Sequence, residues 1–317
     1  MTMATPAQSG SILRRCLLYV PASSQRMLTK SVALTADNIT YDLEDSVTPA
    51  LKHDARHQLK SHLASLQSRP KSISELAVRI NAVSTPYALD DLTALASSPL
   101  VDAIVVPKVD SAADVHFVSD VLRHVSPGRS ISILALIESA RAITNLSEIC
   151  SASSLLSGLI FAAEDFAHDL SITRTPSLTE FLFARSAMVT AARAARLPSA
   201  IDLVCTSYKG DQGQATLRDE CTQGSSMGFN GKQCIHPSQV ETVQSMFAPP
   251  LNLVQWAVRI VIADEKAAAS GRGAWTLDGA MVDAPVVAKA HALVAKAKQC
   301  GFNVADLRDK YRDQEPE

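Results

Sequence analysis

The sequence predicts an α/β fold, a (β/α)₈ barrel followed by a C-terminal helical lid or extension. Two observations carry this expectation. Short, apolar, β-rich runs alternate with helical stretches along most of the chain. Most of these runs are apolar almost without interruption, as expected of parallel strands covered on both faces.

The predicted strands are 16–20, 39–43, 76–80, 103–106, 131–137, 158–162, 201–205 and 229–235, the last weakened by Gly231 and Lys232. Between them, 51–66 reads as an amphipathic helix. A helix over 112–125 follows the cap-like pair Asp110-Ser111, and 179–195 is long and rich in alanine. Strands alternating with helices in this number favour the barrel. A doubly wound sheet is the alternative, but no G-x-G-x-x-G opens the first helix, and Gly271-Arg-Gly273 lacks a third glycine. Beyond Pro250 the texture changes: a helix over 251–269, a compact segment over 274–285 with few regular signals, and an Ala/Lys-rich helix from 286 to about 299. The expected organisation is a disordered tail over 1–13, a barrel domain over 14–250 and a lid over 251–317.

A formal net charge of −2 gives no electrostatic case for nucleic acid or for an anionic membrane, so an anionic ligand must be met by a local cluster of cations. No apolar run is read as reaching the ~20 residues of a spanning helix. The cysteines form no C-x-x-C pair; Cys16, Cys205 and Cys234 fall in strand-like runs and read as buried thiols of a reducing compartment. Before the first acid, Asp37, stand Arg14, Arg15, Arg26 and Lys30. This resembles a mitochondrial presequence in composition, so cytoplasm and mitochondrial matrix both stay open.

The chemistry is expected where the strands end. Glu138 and Asp165 each close a core-like run. In one parallel barrel both reach the same rim, where two carboxylates suit Mg²⁺ held by few protein ligands. The competing reading is that either acid caps the helix that follows. For Glu44 and Asp45 two readings stand: contacts to metal-bound waters, or salt bridges to Arg79 or Lys108. Arg79, a fixed cation with a planar fork of donors, is placed to stabilise developing oxygen charge. Arg26 and Lys30, four residues apart on one helical face, could meet phosphates. The histidines are read as holding no metal pair. His53, His57 and His62 are assigned to the exposed face of one helix, while His168 and His236 stay open. G-x-S-x-G is absent, and Gly231-Lys-Gln lacks the P-loop spacing.

Seven segments then occur in a telling order: Arg15-Cys-Leu-Leu-Tyr-Val-Pro21, Tyr41-Asp-Leu-Glu-Asp-Ser46, Val78-Arg-Ile-Asn81, Ile137-Glu-Ser-Ala140, Ala162-Ala-Glu-Asp-Phe166, Gly228-Phe-Asn-Gly-Lys-Gln-Cys-Ile-His-Pro237 and Leu277-Asp-Gly-Ala-Met-Val-Asp-Ala-Pro285. Together they resemble the citrate lyase beta-subunit-like proteins, grouped with malyl-CoA and citramalyl-CoA lyases in the HpcH/HpaI aldolase superfamily. The resemblance runs from about Arg15 to about Ala295. It implies a TIM barrel with a C-terminal lid, assembled as a homotrimer or a dimer of trimers. It also implies Glu138 and Asp165 as Mg²⁺ ligands, Arg79 as the enolate-stabilising residue and Arg26 and Lys30 as contacts to coenzyme A phosphates. Asp283 is implied as a lid acid placed over a neighbouring subunit's site. Ala22 and Ala280 depart from the family's more frequent glycine and lysine. The implied reaction is cleavage of citramalyl-CoA to acetyl-CoA and pyruvate. Malyl-CoA lyase, malyl-CoA thioesterase, a Schiff-base aldolase using Lys108 or Lys232, and a silent subunit of a larger lyase complex are the alternatives.

Overall fold

The computed structural model describes residues 12–269, 271 and 273–317. The tail expected over 1–13 lies, up to residue 11, outside the described residues. Eight parallel strands close into a barrel: β1 (Cys16–Pro21), β2 (Ala36–Asp42), β3 (Ile73–Arg79), β4 (Ala103–Val106), β5 (Ser132–Ile137), β6 (Leu156–Phe161), β7 (Ser199–Asp202) and β8 (Gly231–Cys234). Each pairs with the next, and β8 returns to β1 through Cys16↔Lys232 and Leu18↔Cys234. Gly231 is required at that closure, because a Cβ there would stand 2.1 Å from the Arg14 carbonyl oxygen.

Two apolar layers follow from the strand alternation. Leu17, Ala77, Val105, Leu136, Ile160 and Ile201 fill part of the barrel interior. The larger core, including Ile39, Val78, Ile104 and Phe161, lies between strands and helices. The N-terminal end of the barrel is filled by polar groups. Arg14, fully buried, donates two 2.7 Å hydrogen bonds to Glu75 and one of 2.6 Å to Ser157, while Asn38 also donates to Glu75. Arg15 clamps Asp37 with two bonds of 2.8 Å. Arg14 and Arg15, two of the three arginines of the presequence-like composition, are therefore ion-paired to barrel strands, Arg14 in the interior and Arg15 on the outer face.

The chain divides at 247/248 into two compact units. In the second, the helix Leu251–Ala269 packs on the helix Ala284–Gln299 and on a hairpin of β9 (Trp275–Leu277) and β10 (Ala280–Val282). The hairpin corrects the expectation of few regular signals over 274–285. Its turn, Asp278-Gly279, has positive φ at both residues (51° and 76°), the two-residue geometry that such a pair favours. The stretch Pro237–Ala269 has the length and mean hydropathy of a membrane span, which the sequence reading had not registered. It is nevertheless broken before Leu251 at Pro249-Pro250, and half of its most apolar window is buried in protein.

Candidate active site

The loop after β2 is organised by Asp42. Its carboxylate accepts the backbone N–H of Glu44 (2.9 Å) and of Ser46 (3.1 Å). Lys52 fastens the same loop from below, donating to the carbonyls of Leu43 (2.8 Å) and Glu44 (2.7 Å). Glu44 and Asp45 are thereby aimed at the barrel mouth. Asp42 also grips Arg79, at the end of β3, through two parallel bonds of 2.7 Å. Burial alone would raise the Asp42 carboxyl, but the adjoining guanidinium outweighs it and holds the group below its ordinary range. The Arg79 guanidinium stacks over Tyr19 at 4.5 Å. The Tyr19 hydroxyl donates to Gln233 (2.9 Å), and Gln233 donates to the carbonyl of Phe161 (2.8 Å). Four strands thus fix one arginine. The sequence reading used Arg79 but missed Asp42, Tyr19 and Gln233 as its supports.

The acids expected at the rim do converge. Lys108 links them: its ammonium donates to Glu44 (2.7 Å) and stands 3.6 Å from Glu138 and 3.8 Å from Asp165. Arg79 lies 3.1 Å from Glu44 and 3.3 Å from Asp45, so the salt-bridge reading of these two acids is realised with both proposed cations. Neither Glu138 nor Asp165 is the cap of its following helix. Ser139 caps Ala140–Thr144, and Ala162 occupies the cap position of Ala163–Asp169. Burial pushes the Glu138 carboxyl up to about 7 against the pull of Lys108, and it raises Glu44 as well. One buried oxygen of each, Oε2, has no well-formed hydrogen bond and meets a cation only as an ion pair, Arg79 at 3.1 Å from that of Glu44 and Lys108 at 3.6 Å from that of Glu138. Converging oxygen ligands with orphaned buried atoms fit a hard divalent cation, which supplies the charge that two cationic side chains leave unmatched.

Beside these groups opens a cavity of about 420 Å³ lined by Tyr19, Asp45, Arg79, Asp165, Gln233 and others. A second cavity, of about 550 Å³, shares Tyr19, Pro21 and Ile235 with the first and is lined by Arg26, Lys30 and His236. Arg26 and Lys30 are exposed on the short helix Gln25–Ser31. His236 stacks on Tyr208 at 4.8 Å. Glu164 also lines the first cavity and pairs with Arg174 (2.6 Å). Asp283 belongs to the second unit, where it caps Ala284–Gln299 by accepting the N–H of Val286 (3.2 Å).

Two lysines were candidates for Schiff-base chemistry. Lys232 is fully buried, 2.9 Å from Glu220 and 3.9 Å from Asp202. At Lys108 burial favours the neutral amine, yet Glu44 and Glu138 outweigh it and hold the amine protonated well above its ordinary range. A Schiff-base nucleophile needs the opposite shift.

Residues 15–237 match the family model described as HpcH/HpaI aldolase/citrate lyase. The chain belongs to the HpcH/HpaI aldolase/citrate lyase family. It is 34% identical over 308 residues to the citrate lyase subunit beta of Escherichia coli, covering 95% of this chain and 99% of that one. It is 31% identical over 299 residues to the mitochondrial citramalyl-CoA lyase of Homo sapiens, covering 90% and 86%. Among solved structures, the CitE protein of Mycobacterium tuberculosis in complex with magnesium, acetoacetate and coenzyme A matches with a TM-score of 0.70 and 30% identity, over 90% of this chain and 98% of that one. The family and the barrel expected from the seven segments are therefore borne out.

Proposed function

We infer that this family member is a Mg²⁺-dependent carbon–carbon lyase that cleaves citramalyl-CoA reversibly to acetyl-CoA and pyruvate. The observation that carries the reading is the placement of Arg79, held by Asp42 beside the acids Glu44, Glu138 and Asp165 at the mouth of one cavity. The likeness to a citramalyl-CoA lyase over most of both chains supports the substrate class. The likeness to a protein solved with magnesium and coenzyme A supports the cofactor.

In this reading Glu138 and Asp165 would hold Mg²⁺, while Glu44 stays paired with Arg79 and Lys108 and Asp45 with Arg79. The ion would supply Lewis acidity toward the hydroxyl and carboxylate oxygens of the substrate. Arg26 and Lys30 bind the coenzyme A phosphates along the second cavity. The substrate hydroxyl gives its proton to solvent water, the bond between C2 and C3 of the acyl chain breaks, and the electron pair passes to the thioester as an enolate. Arg79 faces the enolate oxygen with a guanidinium that need not reorganise. Asp283 delivers a proton to the enolate carbon, and takes one in the condensation direction. Its carriage on a lid over a neighbouring subunit, in a trimer or dimer of trimers, is part of the same proposal and rests on the family resemblance. The lid also excludes water from the enolate.

The test incubates the purified protein with citramalyl-CoA and Mg²⁺ and follows pyruvate and free thiol separately, with and without EDTA. EDTA-sensitive pyruvate without thiol is the expected result. Thiol without pyruvate would make it a thioesterase. Pyruvate only from added partner subunits would make it part of a complex, and cleavage confined to malyl-CoA would change the acceptor to glyoxylate.

A further inference from the structure

The helix Lys52–Ser65 was expected to present His53, His57 and His62 to solvent. His62 does not conform: it is buried, with Nε2 3.3 Å from the Tyr41 hydroxyl. His53 and His57 are exposed, but they are not independent. They stand four residues apart on one face of the helix, an H-x-x-x-H spacing that corrects the reading of no histidine metal pair. Their Nε2 atoms approach to 3.1 Å, with ring centroids 4.4 Å apart.

That separation has a chemical meaning. Two imidazole nitrogens bound to one ion at ~2.0–2.1 Å lie about 2.9–3.4 Å apart, for angles between a right angle and the tetrahedral value. The observed distance falls inside that window without any rotation of the helix. A second observation concerns His53 alone. Its other nitrogen, Nδ1, stands 3.4 Å from the carboxylate of Asp54. A carboxylate on the far nitrogen holds a proton there and leaves the Nε2 lone pair free to ligate, the usual support of a metal-binding histidine.

We propose that His53 and His57 form a surface chelate for a divalent first-row transition ion such as Zn²⁺, Ni²⁺ or Cu²⁺, with water completing its shell. Ligand type separates this site from the barrel mouth. Imidazole nitrogen suits borderline ions, whereas the carboxylates of Glu44, Glu138 and Asp165 suit Mg²⁺. The ion would bridge two successive turns near the start of the helix that also carries Lys52, the residue fastening the Leu43 and Glu44 carbonyls.

The proposal is tested by calorimetric titration of the full chain with Ni²⁺ in excess Mg²⁺, and by electron paramagnetic resonance of bound Cu²⁺. The expected result is one tight equivalent of Ni²⁺, a two-nitrogen Cu²⁺ spectrum, and binding weakened roughly tenfold or more by His53→Gln or His57→Gln. Both side chains are exposed, so melting in EDTA should be unchanged in these variants. A Glu138→Gln/Asp165→Asn variant should retain the equivalent. Loss in that variant would move the ion to the barrel mouth and overturn the proposal. Equal Ni²⁺ binding in wild type and both histidine variants, or none in wild type, would overturn it too. None of these outcomes depends on lyase activity.

Discussion

The ammonium of Lys108 stands 3.6 Å from Oε2 of Glu138, a buried oxygen that no hydrogen-bond donor reaches. Lys108 attains this position from a left-handed backbone conformation (φ 51°) directly after Pro107. A non-glycine residue held there costs on the order of 1–2 kcal/mol, and such strain gathers at functional sites. One cation thus faces Glu44, Glu138 and Asp165 together.

The raised Glu138 carboxyl makes cation binding pH-dependent. Below about 7 the group carries a proton that an ion must displace. Mg²⁺ affinity measured by calorimetry should therefore fall by about tenfold per pH unit below that point. The same shift affects stability in EDTA with a definite sign. Between its ordinary range and about 7, folded Glu138 binds a proton that the unfolded chain releases, so stability should fall as pH rises through this window. Glu138→Gln should flatten this profile and remove Mg²⁺-dependent stabilisation. A variant that keeps both would place the ion elsewhere.

Asp42→Asn removes the charge that aims Arg79 while keeping the size of the side chain. With the guanidinium no longer held by two charge-assisted bonds, kcat should drop by about a hundredfold, with a smaller change in KM. A lowered Tm is expected as well, because a buried pair has lost one partner. A lower Tm with unchanged kcat would reduce Asp42 to a structural role.

Removing both exposed cations of the second cavity, Arg26→Ala with Lys30→Ala, should raise KM for a coenzyme A thioester about tenfold and leave kcat within about twofold. The difference from wild type should shrink at high salt, since exposed charges are screened. Steady-state kinetics at two ionic strengths separate this from a lesion in the chemistry.

Asp283→Asn isolates the proton-transfer role, because asparagine caps a helix as well as aspartate does. The helix Ala284–Gln299 should keep its cap at Val286, and Mg²⁺ binding should be unaffected. Turnover should fall by about a thousandfold. Undiminished turnover would take Asp283 out of the mechanism.

Strand positions were legible because most barrel strands are nearly continuous apolar runs; their ends were less so. β2 begins at Ala36 and includes Asp37 and Asn38, buried polar residues whose partners, Arg15 and Glu75, lie on other elements. Periodicity does not report pairing across the chain. For the same reason the helix over 51–66 was found but His62 was put on its wrong face: the buried face carries Lys52, Arg56 and His62, each hydrogen-bonded to a group outside the helix. The hairpin over 275–282 did have a local signal in Asp278-Gly279, which went unused. At the rim, Glu138, Asp165 and Arg79 were visible as charges ending apolar runs. The bridging position of Lys108 was not, because it depends on one backbone angle and on three acids from other strands and loops.

The Arg14–Glu75 pair and its neighbours Asn38 and Ser157 seal the barrel at the end opposite the acids. Among the described residues the barrel therefore has a floor at its N-terminal end and opens toward the acids. Whatever settles deepest enters first and is the last to escape. For a cleavage that makes a small acid and a bulky thioester, traffic through that opening imposes a sequence. Under the cleavage proposed above, the expected outcome in product-inhibition kinetics is that the thioester leaves first and, in the reverse direction, the acid binds first.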